Sequence, residues 1–148
     1  MAAAAPAKPN FLYILCDDLG YGDVKCLNPK GKIATPNLDK LAAAGMYFTD
    51  MHSSSSVCSP TRYGIMTGRY NWRTKLQSGV LGGLSPRLIE PGRLTVAQLL
   101  KDHGYHTAAI GKWHLGMTYA RKAGAPEPSD LTKGPAPADV DFTKPVTG

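Results

Sequence analysis

A short apolar run near the start of the chain constrains its fold more than any other feature. Residues 11–16 are nearly continuously apolar and stop abruptly at Asp17 and Asp18, which open a polar, glycine-rich loop. Such a run predicts a strand buried on both faces, as in a parallel sheet. Because ligands bind outside the carboxyl ends of such strands, the two carboxylates are candidate oxygen ligands for Ca²⁺ or Mg²⁺. The alternative is an ordinary acidic turn.

Helix and strand signals alternate after this loop. Thr35 and Pro36 open a helix that ends near Gly45, another helix begins near Ser59, and a third begins at Thr95 with Gln98 as its capping partner. Further strands are predicted over the short apolar segments 46–49 and 105–110. This order predicts an α/β fold with a mostly parallel sheet flanked by helices. About three strands make a small sheet for this class, so we expect the sequence to be truncated.

Composition excludes several classes of protein. The chain has 148 residues, 43% of them hydrophobic, which suits a folded domain rather than a disordered chain. No apolar run approaches the ~20 residues of a membrane helix, and no signal peptide is visible. The net charge of +6 indicates either a solvated basic surface or an anionic substrate. The basic residues are scattered, so nucleic acid is not the expected partner.

A cysteine and an arginine lie four residues apart in the segment Cys58-Ser59-Pro60-Thr61-Arg62. A proline just inside a helix start places Cys58 near the helix N-terminus, where backbone N–H groups and the helix dipole favour an anion. Arg62 returns to the same side one turn later and offers a planar set of donors to an oxyanion. The alternative is a small buried cysteine beside a surface arginine.

Lys112, Trp113 and His114 directly follow the predicted strand 105–110. If the backbone stays extended, Lys112 and His114 share one face and Trp113 lies on the other. Lysine would supply a positive charge and histidine a proton donor or acceptor near neutral pH. The alternative is a basic edge on a core tryptophan.

Four blocks of sequence, in this order and spacing, resemble the type I sulfatases of the alkaline phosphatase superfamily. The resemblance runs from about residue 9 to residue 117 and implies an alkaline-phosphatase-like sulfatase domain. Residues 1–8 would then be disordered, 9–117 the N-terminal part of the catalytic domain, and 118–148 a loop-rich, incomplete continuation of it. The blocks are Pro9-Asn10 with Asp17–Asp23, Thr35–Asp39, Cys58-x-Pro60-x-Arg62 with Thr67-Gly68-Arg69, and Gly111–Gly116.

The resemblance implies a metal-dependent hydrolase of sulfate esters. Sulfatases convert the cysteine at the position of Cys58 to formylglycine, whose hydrate attacks sulfur with one hydroxyl and expels sulfate through the other. Asp17, Asp18 and the formylglycine oxygen would bind Ca²⁺, with Mg²⁺ as the alternative. From later in the chain, family members supply a further Asp-Asn pair that binds the metal, and also a histidine and a lysine that surround the sulfate.

The resemblance also assigns three roles around the hydrate. Arg62 would hold and polarise the hydrate, and Lys112 would neutralise the charge of the sulfate. His114 would assist the deprotonation and collapse of the hydrate. Partners would be a sulfated small molecule or carbohydrate and, during maturation, a formylglycine-generating enzyme. Family habit favours an exported or lysosomal compartment.

Two alternatives stay open from the sequence. A phosphonate monoester or phosphodiester hydrolase of the same superfamily would share the signature around Cys58. An inactive, truncated chain would at most bind sulfated ligands.

Overall fold

A computed structural model describes residues 8–128, 130 and 133–147. The chain divides into two compact units, Met1–Met51 and His52–Gly148, and each is described by itself. The predicted disordered segment 1–8 lies outside the described residues except for Lys8. The predicted division between residues 117 and 118 falls inside the second unit and stays a prediction.

All three predicted helices form. Their starts follow the proline and threonine signals of the sequence, and a left-handed glycine, Gly68, ends α2 with its N–H bonded to the Gly64 carbonyl. The α-helices are α1 (Pro36–Ala44), α2 (Cys58–Thr67) and α3 (Val96–Asp102), and short 3₁₀ turns cover Tyr21–Asp23, Asn71–Arg73 and Pro137–Asp139.

The two predicted threonine caps differ in outcome. Thr95 caps α3, because its hydroxyl accepts the backbone N–H of Gln98 at 3.1 Å. Thr35 does not cap α1 with its side chain. Its hydroxyl instead accepts the N–H of Lys25 at 2.9 Å and donates to the Asp39 carboxylate at 3.0 Å. Thr35 therefore fastens the preceding loop to the helix start.

The predicted parallel sheet is not confirmed. In the described part of the chain, β-pairing is confined to two isolated antiparallel bridges, Thr118–Thr147 and Arg121–Val140. Residues 11–16, 46–49 and 105–110 belong to no strand, and apolar side chains within them are exposed, Ile110 at 99%. A strand exists through hydrogen bonds to a neighbour, and a buried one also needs layers on both faces. The described residues supply neither to these segments.

The second unit has a small apolar core beneath α2. Tyr63 from the middle of α2 is fully buried against four leucines, and Met66, Ile89 and Trp113 pack around this cluster. Burial of such side chains stabilises the unit by about 1.5–3 kcal/mol each. The four leucines are Leu76, Leu81, Leu88 and Leu115.

Backbone hydrogen bonds join two loops of the second unit beside this core. The N–H of Leu88 donates to the Leu115 carbonyl at 2.8 Å, and the N–H of Met117 donates to the Ser85 carbonyl at 3.0 Å. Gly116 lies between them with φ +74°, and a Cβ at this position would lie 2.2 Å from the Pro86 carbonyl oxygen. Only glycine allows the two backbones to approach this closely.

Among the described residues, none of the helices has the length and apolar character needed to cross a bilayer.

Replacing Gly116 by alanine should destabilise the second unit strongly. The left-handed φ alone costs about 1–2 kcal/mol, and the contact with Pro86 adds to it, for a total of more than about 3 kcal/mol. Gly124→Ala is the matched control, because Gly124 has φ +78° and a Cβ added there would meet nothing within 4 Å. Urea unfolding checks the difference, and equal losses for the two variants would contradict the close approach.

Candidate active site

Cys58 is the first residue of α2, as its spacing from Pro60 predicts. Its side chain is partly buried and its thiol forms no disulfide. The hydroxyl of Thr61 donates to the Val57 carbonyl at 2.7 Å and lies 2.9 Å from the Ser55 carbonyl. These contacts fold the serine-rich loop onto the first turn of α2 and so fix the position of Cys58.

Ser59, next to Cys58, turns away from solvent. It is fully buried, and its hydroxyl oxygen accepts the backbone N–H of Leu81 at 3.2 Å. A buried hydroxyl needs such a partner, because an unsatisfied one costs about 1–3 kcal/mol. The contact joins the start of α2 to the loop around Leu81.

Arg62 joins α2 to the second predicted signature. One turn after Cys58, its guanidinium donates through Nη1 to the backbone carbonyl of Lys112. The sequence predicted Arg62 and Lys112 as members of one site, and this hydrogen bond brings them together. It fixes the backbone at Lys112, while the Lys112 side chain lies on the exposed surface.

His114 adopts a left-handed backbone conformation with φ 54°. Its ring Nε2 lies 2.7 Å from the Leu81 carbonyl oxygen. A carbonyl only accepts, so Nε2 carries the proton and Nδ1 of the neutral ring keeps a lone pair. Nδ1 is buried and has no hydrogen-bond partner within the described residues.

Trp113 anchors this segment. Its indole N–H donates to the Gly116 carbonyl at 3.0 Å, and its ring packs against the leucine core. The backbone is not extended at His114, so the alternation of faces expected for an extended segment does not apply there, yet Lys112 and His114 both line one open cleft of about 250 Å³. The other lining residues are Gly82, Gly83, Trp113, Gly116, Met117 and Tyr119.

Ion pairs and a hydrogen bond to Glu90 also hold α2 in place. The hydroxyl of Tyr63 donates to the Glu90 carboxylate at 3.3 Å, and Arg69 and Arg93 lie 3.9 and 3.4 Å from the same carboxylate. Burial raises the pKa of Glu90, but hydrogen bonds from its own backbone N–H, Arg93 and Tyr63 outweigh burial and hold that pKa below its usual value. The ionised Glu90 therefore fastens α2 to the loop below it.

Asp17 and Asp18 lie in the first unit, in an exposed turn that directly follows residues 11–16. Their oxygen donors suit a hard cation such as Ca²⁺, which takes six to eight oxygens. Within the described residues, no three His, Cys, Asp or Glu side chains converge in a way that would hold a metal. The pair thus fits the chemistry of the expected ion as a partial ligand set.

Ser59 and Leu81 were not among the residues predicted from the sequence. Ser59 could have been considered, because it lies beside the candidate nucleophile and directly before a helical proline. Leu81 could not, because it contributes backbone groups that any residue possesses.

Comparison with known proteins decides the family. The family model described as Sulfatase matches residues 9–137 of this chain. The chain belongs to the sulfatase family. This confirms the resemblance read from the four sequence blocks.

Relatives from distant organisms match the same region. The chain is 43% identical over 110 residues to the N-acetylgalactosamine-6-O-sulfatase of Bacteroides thetaiotaomicron, covering 74% of this chain and 21% of that protein. It is 44% identical over 117 residues to human arylsulfatase A, covering 79% and 22% of the two chains. It is 43% identical to human steryl-sulfatase, covering 77% and 20%. The chain therefore spans about a fifth of the length of these relatives.

A solved structure supports the same kinship. It is a B. thetaiotaomicron protein described under the metabolism of multiple glycosaminoglycans, and it matches with a TM-score of 0.63 at 40% identity. The match covers 73% of this chain and 22% of that one. The two proteins share a fold over this part.

Replacing Arg62 by glutamine should loosen the Lys112–His114 segment. Losing one hydrogen bond of about 1 kcal/mol raises the local opening equilibrium about fivefold. Amide hydrogen exchange over residues 111–117 measures this. Arg73→Gln removes the same charge from an exposed position nearby and should leave that exchange unchanged. Equal exchange in Arg62→Gln and the parent protein would contradict a structural role for the contact.

Proposed function

We propose that the protein hydrolyses sulfate esters and that Cys58, converted to formylglycine, provides the nucleophile. The observation that carries this proposal is the placement of the Cys58-x-Pro60-x-Arg62 signature at the start of α2, with Arg62 bonded to the backbone of Lys112. Membership of the sulfatase family and relatives that are named sulfatases support it.

The chemistry divides between the modified residue and its neighbours. The hydrate of formylglycine supplies one hydroxyl that attacks sulfur and a second whose deprotonation releases sulfate. Lys112, which lines the cleft, would offset the negative charge of the sulfate group. Arg62, one turn after Cys58 on α2, would hold and polarise the hydrate with its planar, permanently charged group.

His114 is suited to accept the second proton. The Leu81 carbonyl keeps the ring proton on Nε2, so the lone pair on Nδ1 is the basic position of the neutral ring. A neutral imidazole with this pattern can act as a general base.

The fold and metal of the whole protein follow the same reasoning. We infer that residues 11–16, 46–49 and 105–110 are strands of the mostly parallel sheet, which their apolar composition and the shared fold support. Asp17 would then end a strand, and Asp17, Asp18 and the modified Cys58 would be ligands of Ca²⁺ or Mg²⁺. The ion would act as a Lewis acid toward the sulfate.

The substrate is proposed as a class. The names of the relatives point to a sulfated amino sugar, a sulfated steroid and aryl sulfates. We therefore propose a sulfated small molecule or carbohydrate as substrate and a formylglycine-generating enzyme as the maturation partner.

The first test concerns Cys58. Produced together with a formylglycine-generating enzyme, the protein should yield a tryptic peptide 41–62 with the mass expected for an aldehyde in place of the thiol. Cys58→Ala should lower turnover of an aryl sulfate at least about 10³-fold, because the nucleophile is lost. Cys26→Ala, which removes an exposed thiol, should retain parental turnover.

Two outcomes would contradict this part of the proposal. An unmodified Cys58 in an active protein would exclude formylglycine. Faster turnover of a phosphonate monoester than of the aryl sulfate would favour the related phosphonate hydrolases.

The second test concerns Asp17. Asp17→Asn keeps the shape of the side chain but removes one charged ligand, so Ca²⁺ affinity measured by calorimetry should fall at least about tenfold. Asp102→Asn is the charge-matched control, since Asp102 accepts a hydrogen bond from Gln98 on the surface of α3. Unchanged Ca²⁺ affinity in Asp17→Asn would remove Asp17 from the metal site.

A further inference from the structure

Ser59 and His114 are hydrogen bonded to the same residue. The Ser59 hydroxyl accepts the N–H of Leu81 at 3.2 Å, and the carbonyl of Leu81 accepts from His114 Nε2 at 2.7 Å. Ser59 is fully buried and Leu81 is 3% exposed. Both backbone groups of one buried residue therefore link the position next to Cys58 with the candidate base.

We propose that Ser59 is a positioning residue that acts through Leu81 to hold His114 in the tautomer with Nδ1 unprotonated. This inference rests on the proposed function for one point only, the catalytic role of that tautomer. The hydrogen-bond path itself belongs to the fold of the second unit and is tested without turnover.

The loop geometry supports this role for Leu81. The turn that follows it is closed by Ser85, which accepts the N–H of Gly82 through its hydroxyl at 2.8 Å and donates its own N–H to the Gly82 carbonyl at 3.2 Å. Ser85 is fully buried and its carbonyl also accepts from the N–H of Met117 at 3.0 Å. The Leu81 carbonyl is thus fixed on one side by this turn and on the other by Ser59.

The tautomer suits the proton transfer of the proposed mechanism. His114 Nδ1 would accept a proton from a hydroxyl of the hydrated formylglycine, so an O–H bond breaks, an N–H bond forms and the ring becomes an imidazolium. The Nε2–H stays bonded to the Leu81 carbonyl throughout. An acceptor already oriented at Nε2 stabilises the new positive charge without rearrangement. Because Ser59 directly follows Cys58, the orienting path begins one residue from the nucleophile.

The experiment is nitrogen NMR of the histidine rings in the intact protein, with His114 assigned from the spectrum of His114→Gln. The parent should show His114 protonated at Nε2 and unprotonated at Nδ1, with a slowly exchanging Nε2 proton. Ser59→Ala removes the acceptor for Leu81, and exchange of that proton should rise about fivefold for one lost hydrogen bond. Ser59→Thr retains the hydroxyl and should restore slow exchange. Ser78→Ala, at an exposed serine in the preceding loop, should match the parent.

Turnover provides the second readout. Conversion of Cys58 is measured by mass in every variant, so that a maturation defect is separated from a positioning defect. Per converted molecule, Ser59→Ala should lower kcat for an aryl sulfate about five- to tenfold with KM nearly unchanged.

Each outcome decides a separate claim. A parent His114 that carries its neutral-state proton on Nδ1 would overturn the inference, even if Ser59→Ala failed to fold. Parental proton exchange in a folded Ser59→Ala would overturn the role of Ser59. The expected tautomer and exchange in a protein without sulfate ester turnover would leave the inference standing and overturn the proposed function.

Discussion

The packing of Tyr63 against the leucines below α2 is the contact on which the candidate site depends. Tyr63 has no exposed surface, and its hydroxyl donates to Glu90. This single side chain fixes the rotation of α2 about its own axis. Once that rotation is set, Cys58, Ser59 and Arg62 point in defined directions at the start of the helix. The site is therefore positioned by a side chain of the core.

Helices were predictable from the sequence because their ends are encoded locally. Pro36 at the first position of α1, Thr95 before α3 and Gly68 after α2 each act through the backbone within one turn. The predicted strands do not form among the described residues, because an apolar run such as residues 11–16 needs a neighbouring strand to pair with, and local sequence does not encode that neighbour. An apolar run predicts that a segment can be buried but not what buries it.

The candidate site likewise contains residues that could be predicted from the sequence and residues that could not. Cys58 and Arg62 were predicted from their spacing, and Lys112 and His114 from their place directly after a predicted strand. Ser59 and Leu81 were missed because they act through a buried hydroxyl and through backbone groups. Residue type reports side-chain chemistry well, but it does not report which carbonyl lies opposite a histidine. A buried serine adjacent to a candidate nucleophile is the one sequence feature that would have pointed to this contact.

The partner of His114 would suit the charge of the proposed substrate, a sulfate ester. In the Ser-His-Asp hydrolases an aspartate orients the histidine and stabilises the imidazolium. A carboxylate in that position would place a full negative charge near a sulfate group that is itself anionic, and the repulsion would oppose binding. It would also attract Arg62 and Lys112 and so weaken their action on the substrate. The Leu81 carbonyl orients the ring with a dipole instead. For an anionic ester, a buried backbone carbonyl is thus the better orienting group, and its placement requires a loop held as firmly as Ser59 and Ser85 hold this one.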